Sequence, residues 1–116
     1  MFYGSAFILK GYIMKITAVI VAGGKGTRMG ADKNKVFLKI LGREVLYYTI
    51  SAFEKNDKID DIIVVTGKND IEECQILVDK YDIKKVSYIT EGGATRQESV
   101  MNGLKKAEGD IVLIHD

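Results

Sequence analysis

Apolar residues in this chain come in short β-branched runs separated by stretches with helical spacing, and that alternation predicts the architecture. Ile16-Thr17-Ala18-Val19-Ile20-Val21 carries a single polar side chain, the pattern of a strand buried on both faces. Ile62-Ile63-Val64-Val65-Thr66 predicts a second such strand, residues 86–90 a third and residues 111–114 a fourth. Between them, residues 45–55 read as a helix with Val45, Tyr48, Thr49, Ala52 and Phe53 on one stripe. Residues 71–81 read as another helix, opened by a capping-box-like Asp70 and Glu73. Residues 96–107 predict a third, with Val100, Leu104 and Ala107 turned inward. Residues 36–40 are apolar and short, closed by the turn Leu41-Gly42-Arg43.

Strands alternating with helices imply right-handed βαβ crossovers and a Rossmann-like, three-layer α/β fold, its mostly parallel sheet covered on both faces. Such sheets bind ligands beyond the carboxyl ends of their strands. Three segments fall at that edge: residues 22–35, residues 91–99 and His115-Asp116. Residues 1–13 do not share the pattern. Their apolar patch Ala6-Phe7-Ile8-Leu9, broken by Lys10 and Gly11, lacks the basic start and cleavage site of a signal peptide. Met14-Lys15-Ile16 is the more natural beginning, so 1–13 are taken as an extension without assigned function and 14–116 as the domain. The last strand ends the chain with no helix after it, which predicts a fold truncated after the fourth strand.

Composition narrows the classes. With 116 residues, 47% apolar and 28% charged, one ordinary globular domain is expected. A net charge of +1 supplies no bulk attraction to nucleic acid or an anionic membrane. No apolar run approaches the roughly 20 residues of a membrane helix. A single cysteine, Cys74, fits a reducing cytoplasm, and with a single His it makes a structural zinc site a poor expectation. Cys74 follows two glutamates with no cation beside it, so a plain thiol is expected. His115 is read as a structural hydrogen-bonder, and Tyr47 and Tyr48 as helix packing.

The twelve glycines are clustered, and the clusters carry the chemistry. Ala22-Gly23-Gly24-Lys25-Gly26-Thr27-Arg28-Met29-Gly30 leaves a predicted strand directly, and its glycines allow backbone N–H groups to wrap a phosphate chain. A dinucleotide fingerprint is excluded because Met29 stands where its third glycine belongs. A P-loop is excluded because Lys25 is followed by Gly26 rather than Ser or Thr. Lys25, Arg28 and Lys35 bring three cations to the loop, suited to a phosphoryl group gaining charge.

Gly23-Gly24-Lys25-Gly26-Thr27-Arg28-Met29, followed by Lys35-Val36-Phe37-Leu38, resembles the signature of the nucleotidyltransferases that load sugar or polyol phosphates onto nucleotides. Within them the chain looks most like the 2-C-methyl-D-erythritol 4-phosphate cytidylyltransferase family of non-mevalonate isoprenoid biosynthesis. Gly92-Gly93-Ala94-Thr95-Arg96-Gln97-Glu98-Ser99-Val100 resembles that family's second motif, and Val112-Leu113-Ile114-His115-Asp116 the start of its third. The resemblance implies a nucleotidyltransferase fold whose nucleotide-binding portion is 14–116. It implies CTP and a polyol phosphate as substrates, Mg²⁺ as cofactor and a homodimer at full length. Arg28 and Lys35 then match the cations on the α-phosphate, and Ala22, Gly23, Gly24, Lys25 and Gly26 the cradle around the nucleotide. Gly92, Gly93 and Ser99 match positions near the cytosine and ribose, and Asp116 the magnesium ligand. A Ser near a helix start is also commonly a cap. Asn34 departs from a frequent Pro, which keeps Lys33 in view beside Lys35, and Ala94 departs from a frequent Asp. Arg96 is open between a phosphate contact and a helix-start salt bridge.

Three other readings compete. A ribitol-5-phosphate cytidylyltransferase shares the Gly23–Gly30 opening, and a molybdenum-cofactor guanylyltransferase is suggested by Arg28-Met29-Gly30-Ala31-Asp32-Lys33 but lacks the second loop. The third is a non-catalytic nucleotide-binding fragment. Because in-line transfer between two substrates draws roughly 7–11 kcal/mol from holding both, residues 1–116 alone are expected to be inactive. A pyrophosphate-release assay beside a longer polypeptide checks this, and comparable turnover by both would refute it.

Overall fold

The structure, a computed structural model, describes residues 2–3, 6–9, 12–23 and 35–116, the first thirteen positions by backbone alone. Its strands are β1 (Phe2–Tyr3), β2 (Ala6–Leu9), β3 (Tyr12–Met14), β4 (Ile16–Val21), β5 (Lys39–Ile40), β6 (Arg43–Glu44), β7 (Asp61–Thr66), β8 (Val86–Glu91) and β9 (Ile111–His115). The helices are α1 (Val45–Glu54), α2 (Ile71–Lys80) and α3 (Arg96–Lys106), with single 3-10 turns at Lys35–Phe37 and Lys68–Asp70.

The central sheet is wholly parallel, in the order β8-β7-β4-β9. Register runs from Thr17 opposite Asp61 to Val21 opposite Val65 on one side of β4, and from Ile16 opposite Ile111 to Ile20 opposite His115 on the other. Side chains alternate along β4 and β7 and so build two cores. Ala18, Ile20, Ile62 and Val64 pack with Leu46 and Ile50 of α1 and with Cys74 and Leu77 of α2. Val19, Ile63 and Val65 face the other way, toward the side that α3 covers. The chain therefore changes face between α2 and α3. Its first crossovers step outward from β4 to β7 and β8, and the last returns to β9 on the opposite side of β4.

The expected fold class holds, with local corrections. β1, β2 and β3 pair as a small antiparallel sheet, Phe7 opposite both Phe2 and Met14. The expected α1 stripe is rotated. Leu46 and Ile50 are buried, whereas Ala52 is exposed and Tyr48 stands 40% exposed. The β5–β6 hairpin leads directly into α1, and the Tyr48 hydroxyl donates to the Ile40 carbonyl at 2.7 Å, turning that flank toward the hairpin instead of the sheet. Asp70 makes no cap hydrogen bond at α2, because the 3-10 turn runs into the helix with helical backbone (φ −107°, ψ −1°) where a cap needs an extended one. The outer strands also depart from full coverage: Ser87 and Tyr88 of β8 and Leu113 and Ile114 of β9 are exposed. Each strand pairs on one side only among the described residues.

α3 approaches the sheet closely enough to need a glycine. A Cβ on Gly103 would lie 2.6 Å from Val19 Cγ1 and 2.9 Å from Val65 Cγ2, two side chains with no exposed surface. Ala favours a helix by about 1 kcal/mol over Gly, but overpacking a filled core costs about 1–3 kcal/mol. Gly103→Ala is expected to lose stability despite its better helix propensity, read as a lower urea midpoint. An unchanged or raised midpoint would show that α3 can back away freely.

Candidate functional site at the carboxyl edge of the sheet

The two edges of the sheet are built differently. At the amino edge, aspartates tie strand starts together: Ile16 N–H donates to Asp60 (2.8 Å), Lys15 N–H to Asp110 (2.9 Å) and the Thr17 hydroxyl to Asp61 (2.6 Å). At the carboxyl edge the strands release the glycine loops, and the loops meet. Ala22 N–H donates to Val65 O and Gly92 N–H to Thr66 O, both at 2.7 Å, so both loops fold over the end of β7. Gly23 has φ +143°, open to glycine and strained for other residues. A Cβ on Gly92 would lie 3.3 Å from Gly23 O and 2.8 Å from Ser99 Oγ. Residues 22–23 and 92–99, distant in sequence, share one small volume.

Ser99 is not the helix cap. Thr95 is: it has extended backbone, and its Oγ1 accepts from Glu98 N–H at 3.1 Å. Glu98 reaches back to accept from Ala94 N–H at 2.7 Å, a close variant of the capping box. The Thr95-x-x-Glu98 spacing was the signal for it. Relieved of capping, Ser99 sits a turn inside α3, only 1% exposed, and its Oγ accepts from Gly93 N–H at 3.0 Å. The Asn102 side chain, given no role in the sequence reading, donates to Glu91 O at 2.9 Å and holds the strand end from which the loop leaves. The second loop is therefore a preformed strap.

Arg96, at the head of α3, reaches Asp116 just beyond β9. Nε donates to one carboxylate oxygen at 2.8 Å and Nη2 to the other at 2.6 Å. Arg96 is thus ion-paired, and its partner is the residue just beyond the last strand. The guanidinium hydrogen bonds hold the Asp116 carboxyl below its usual range, and the same bonds raise Arg96. Lys35 is exposed at the start of its 3-10 turn, anchored by buried Phe37 two residues on. Gly24, Lys25, Gly26, Arg28 and Lys33 lie outside the described residues. The structure thus brings together Ala22, Gly23, Gly92, Gly93 and Ser99, and separately joins Arg96 to Asp116.

No group of three or more His, Cys, Asp or Glu side chains gathers as a metal site among the described residues. A lone hard carboxylate such as Asp116 suits Mg²⁺, which keeps its waters and is commonly held by one or two carboxylates plus substrate phosphates. Cys74 is buried, and desolvation, with Asp70 and Glu73 nearby, pushes its thiol up to about 12, an inert group as expected. The His115 ring meets Phe53 edge-on at 5.5 Å, an aromatic contact where a hydrogen-bonding role was anticipated. Tyr47 does pack, 4.3 Å from the Tyr81 ring. A cleft of about 480 Å³ runs along α2 past Glu44, Glu72 and Lys80, and none of its lining residues belongs to the glycine loops. No helix among the described residues is long and apolar enough to cross a membrane.

A parallel sheet of this order, with glycine loops meeting at its carboxyl edge, is a doubly wound α/β architecture, one that the α/β nucleotidyltransferases share. Two solved structures share it. 4-Diphosphocytidyl-2C-methyl-D-erythritol synthase from Anaerococcus prevotii matches with a TM-score of 0.71 and 33% identity, over 89% of this chain and 43% of that one. The inositol-1-phosphate CTP transferase from T. maritima has a TM-score of 0.65 at 18% identity, over 84% and 41%, a likeness of fold alone. Residues 16–116 match the family IspD, 2-C-methyl-D-erythritol 4-phosphate cytidylyltransferase, and the chain belongs to it. A curated member from Clostridium botulinum is 49% identical over 104 residues, and one from Alkaliphilus metalliredigens 41% over 105. Each alignment takes in 88% of this chain, which spans 45% and 44% of those proteins.

Removing the Ser99 hydroxyl strands the Gly93 N–H in a half-buried loop. Ser99→Ala is expected to cost about 1–2 kcal/mol, measured by urea denaturation, with amide exchange at Gly93 accelerated. Unaltered protection at Gly93 would mean that the strap does not depend on Ser99.

Proposed function

We propose that the complete protein carrying this chain transfers a cytidylyl group from CTP to 2-C-methyl-D-erythritol 4-phosphate and releases pyrophosphate. The observation that carries this reading is the convergence of Gly23, Gly92 and Ser99 over the end of β7. It brings the starts of both glycine loops together at the edge where doubly wound sheets bind ligands. A phosphate oxygen of the acceptor attacks the α-phosphorus of CTP in line; the new P–O bond forms as the bond to the β-phosphate bridging oxygen breaks. The protein has no covalent step to perform, only positioning and charge neutralisation.

In this reading the glycine loops offer backbone groups to the nucleotide, and Gly92, Gly93 and Ser99 flank its base and ribose. Arg28 and Lys35 meet the charge that grows on the α-phosphate as the transition state forms. Asp116 would hold Mg²⁺, which supplies further neutralisation of the triphosphate when bound. A homodimer of the complete protein and a cytoplasmic location belong to the same reading.

Arg28→Ala and Lys35→Ala in the complete protein are expected to lower kcat far more than they raise KM for CTP. Each removes an interaction typically worth about 3–4 kcal/mol in the transition state. Pyrophosphate release should prefer CTP over UTP, ATP and GTP, and 2-C-methyl-D-erythritol 4-phosphate over ribitol 5-phosphate. Preference for a purine nucleotide would overturn the reading, and preference for ribitol 5-phosphate would change the acceptor. Loss in Lys33→Ala with Lys35→Ala unaffected would transfer the role to Lys33.

A further inference from the structure

The pair between Arg96 and Asp116 is built unlike a structural staple. Both side chains are 60% exposed, where an ion pair adds little to stability and opens readily. Its geometry is nevertheless the most specific available to these groups, a two-pronged fork spending both carboxylate oxygens. It spans the boundary between the second glycine loop and the end of β9. Arg96 is also the first residue of α3, where the helix dipole and the unsatisfied N–H groups favour an anion and disfavour a cation. Helix formation does not explain an arginine there; an anionic partner does. In this structure the partner is Asp116.

We propose that Arg96 is a positioning residue that exchanges partners: it holds Asp116 while the site is empty and passes to a phosphate of the incoming nucleotide when the carboxylate engages a divalent cation. The inference rests on the assignment of Asp116 to a cation that accompanies the nucleotide. A guanidinium occupying both carboxylate oxygens competes with a cation for the same lone pairs, so the pair weakens the hold of Asp116 on free divalent ions. A nucleotide arriving with its cation offers a replacement on each side. The carboxylate gains the metal, and the guanidinium gains an anion beside the head of α3, next to the Gly92-Gly93 strap. Charge stays balanced in both states, and a metal without a nucleotide must displace the guanidinium with nothing to replace it.

The test is Mn²⁺ binding to the complete protein, followed by the electron paramagnetic resonance of the free ion with and without CTP. Without nucleotide, Arg96→Ala is expected to bind Mn²⁺ at least fivefold more tightly than the unmodified protein, and adding Asp116→Asn should abolish that gain. With saturating Mn²⁺, Arg96→Ala should bind CTP at least tenfold more weakly. Arg96→Lys, which keeps the charge and loses the fork, should recover part of the CTP affinity and keep part of the Mn²⁺ gain. It serves as the folded comparison if Arg96→Ala is unstable. Unchanged Mn²⁺ affinity in both Arg96 variants, with Asp116→Asn still weakening Mn²⁺ in the presence of CTP, would overturn the exchange and leave the assignment of Asp116 standing. Mn²⁺ binding indifferent to Asp116→Asn under both conditions would overturn that assignment and the exchange with it.

Discussion

Strand β4 is paired on both edges and, at Ala18, Val19 and Ile20, buried on both faces, and the rest of the structure follows from satisfying it. A strand with no solvent contact must exchange every backbone hydrogen bond with its neighbours, because an unpaired buried N–H or C=O is costly. β7 and β9 supply those bonds in parallel, and parallel neighbours require crossovers over the faces. Helices α1 and α2 fill one face and α3 the other. With the second crossover stepping outward and the last one returning across β4, the chain changes face beside it. Ala22 and Gly23 therefore leave β4 at the point where the strand order reverses.

The two edges of the sheet are held by different kinds of contact. Carboxylates at the amino edge tie strand starts together, fixing register through Asp60, Asp61 and Asp110. The carboxyl edge uses small residues and backbone donors. Gly23 and Gly92 permit an approach that side chains would block, and Ser99, Glu98 and Asn102 hold the second loop through three hydrogen bonds to its backbone. Such a loop is ordered by its own polar groups, so ligand binding need not order it, which is the energetic advantage of preorganisation. The α3 helix links the two requirements: Gly103 seats it on β4 and β7, and its first turn carries Thr95, Glu98 and Ser99 into the strap.

Much of this was legible in the chain because the relevant forces are local. Four β-branched runs spaced by helical stretches point to a parallel α/β sheet, whose crossover helices bury both faces of such strands. Glycine clusters immediately after strands mark the carboxyl edge, where doubly wound sheets bind ligands. Ala22, Gly23, Gly92, Gly93 and Ser99 were each nameable from the residues and the family resemblance. Cys74 could be dismissed from its neighbours alone.

What the sequence could not decide depended on orientation. The rotation of α1 is set by the β5–β6 hairpin and the Tyr48 bond to Ile40, a contact that periodicity does not see. Asp70 and Thr95 carry equally plausible capping patterns, yet only Thr95 has the extended backbone that lets its side chain turn onto the helix. Arg96 and Asp116 are twenty positions apart, and only the return of α3 toward β9 makes them a pair. Residue types and their periods determined the layers and the edge where the glycine loops lie. Which polar atoms touch was decided by the angles at which those layers pack, and no local pattern encodes those angles.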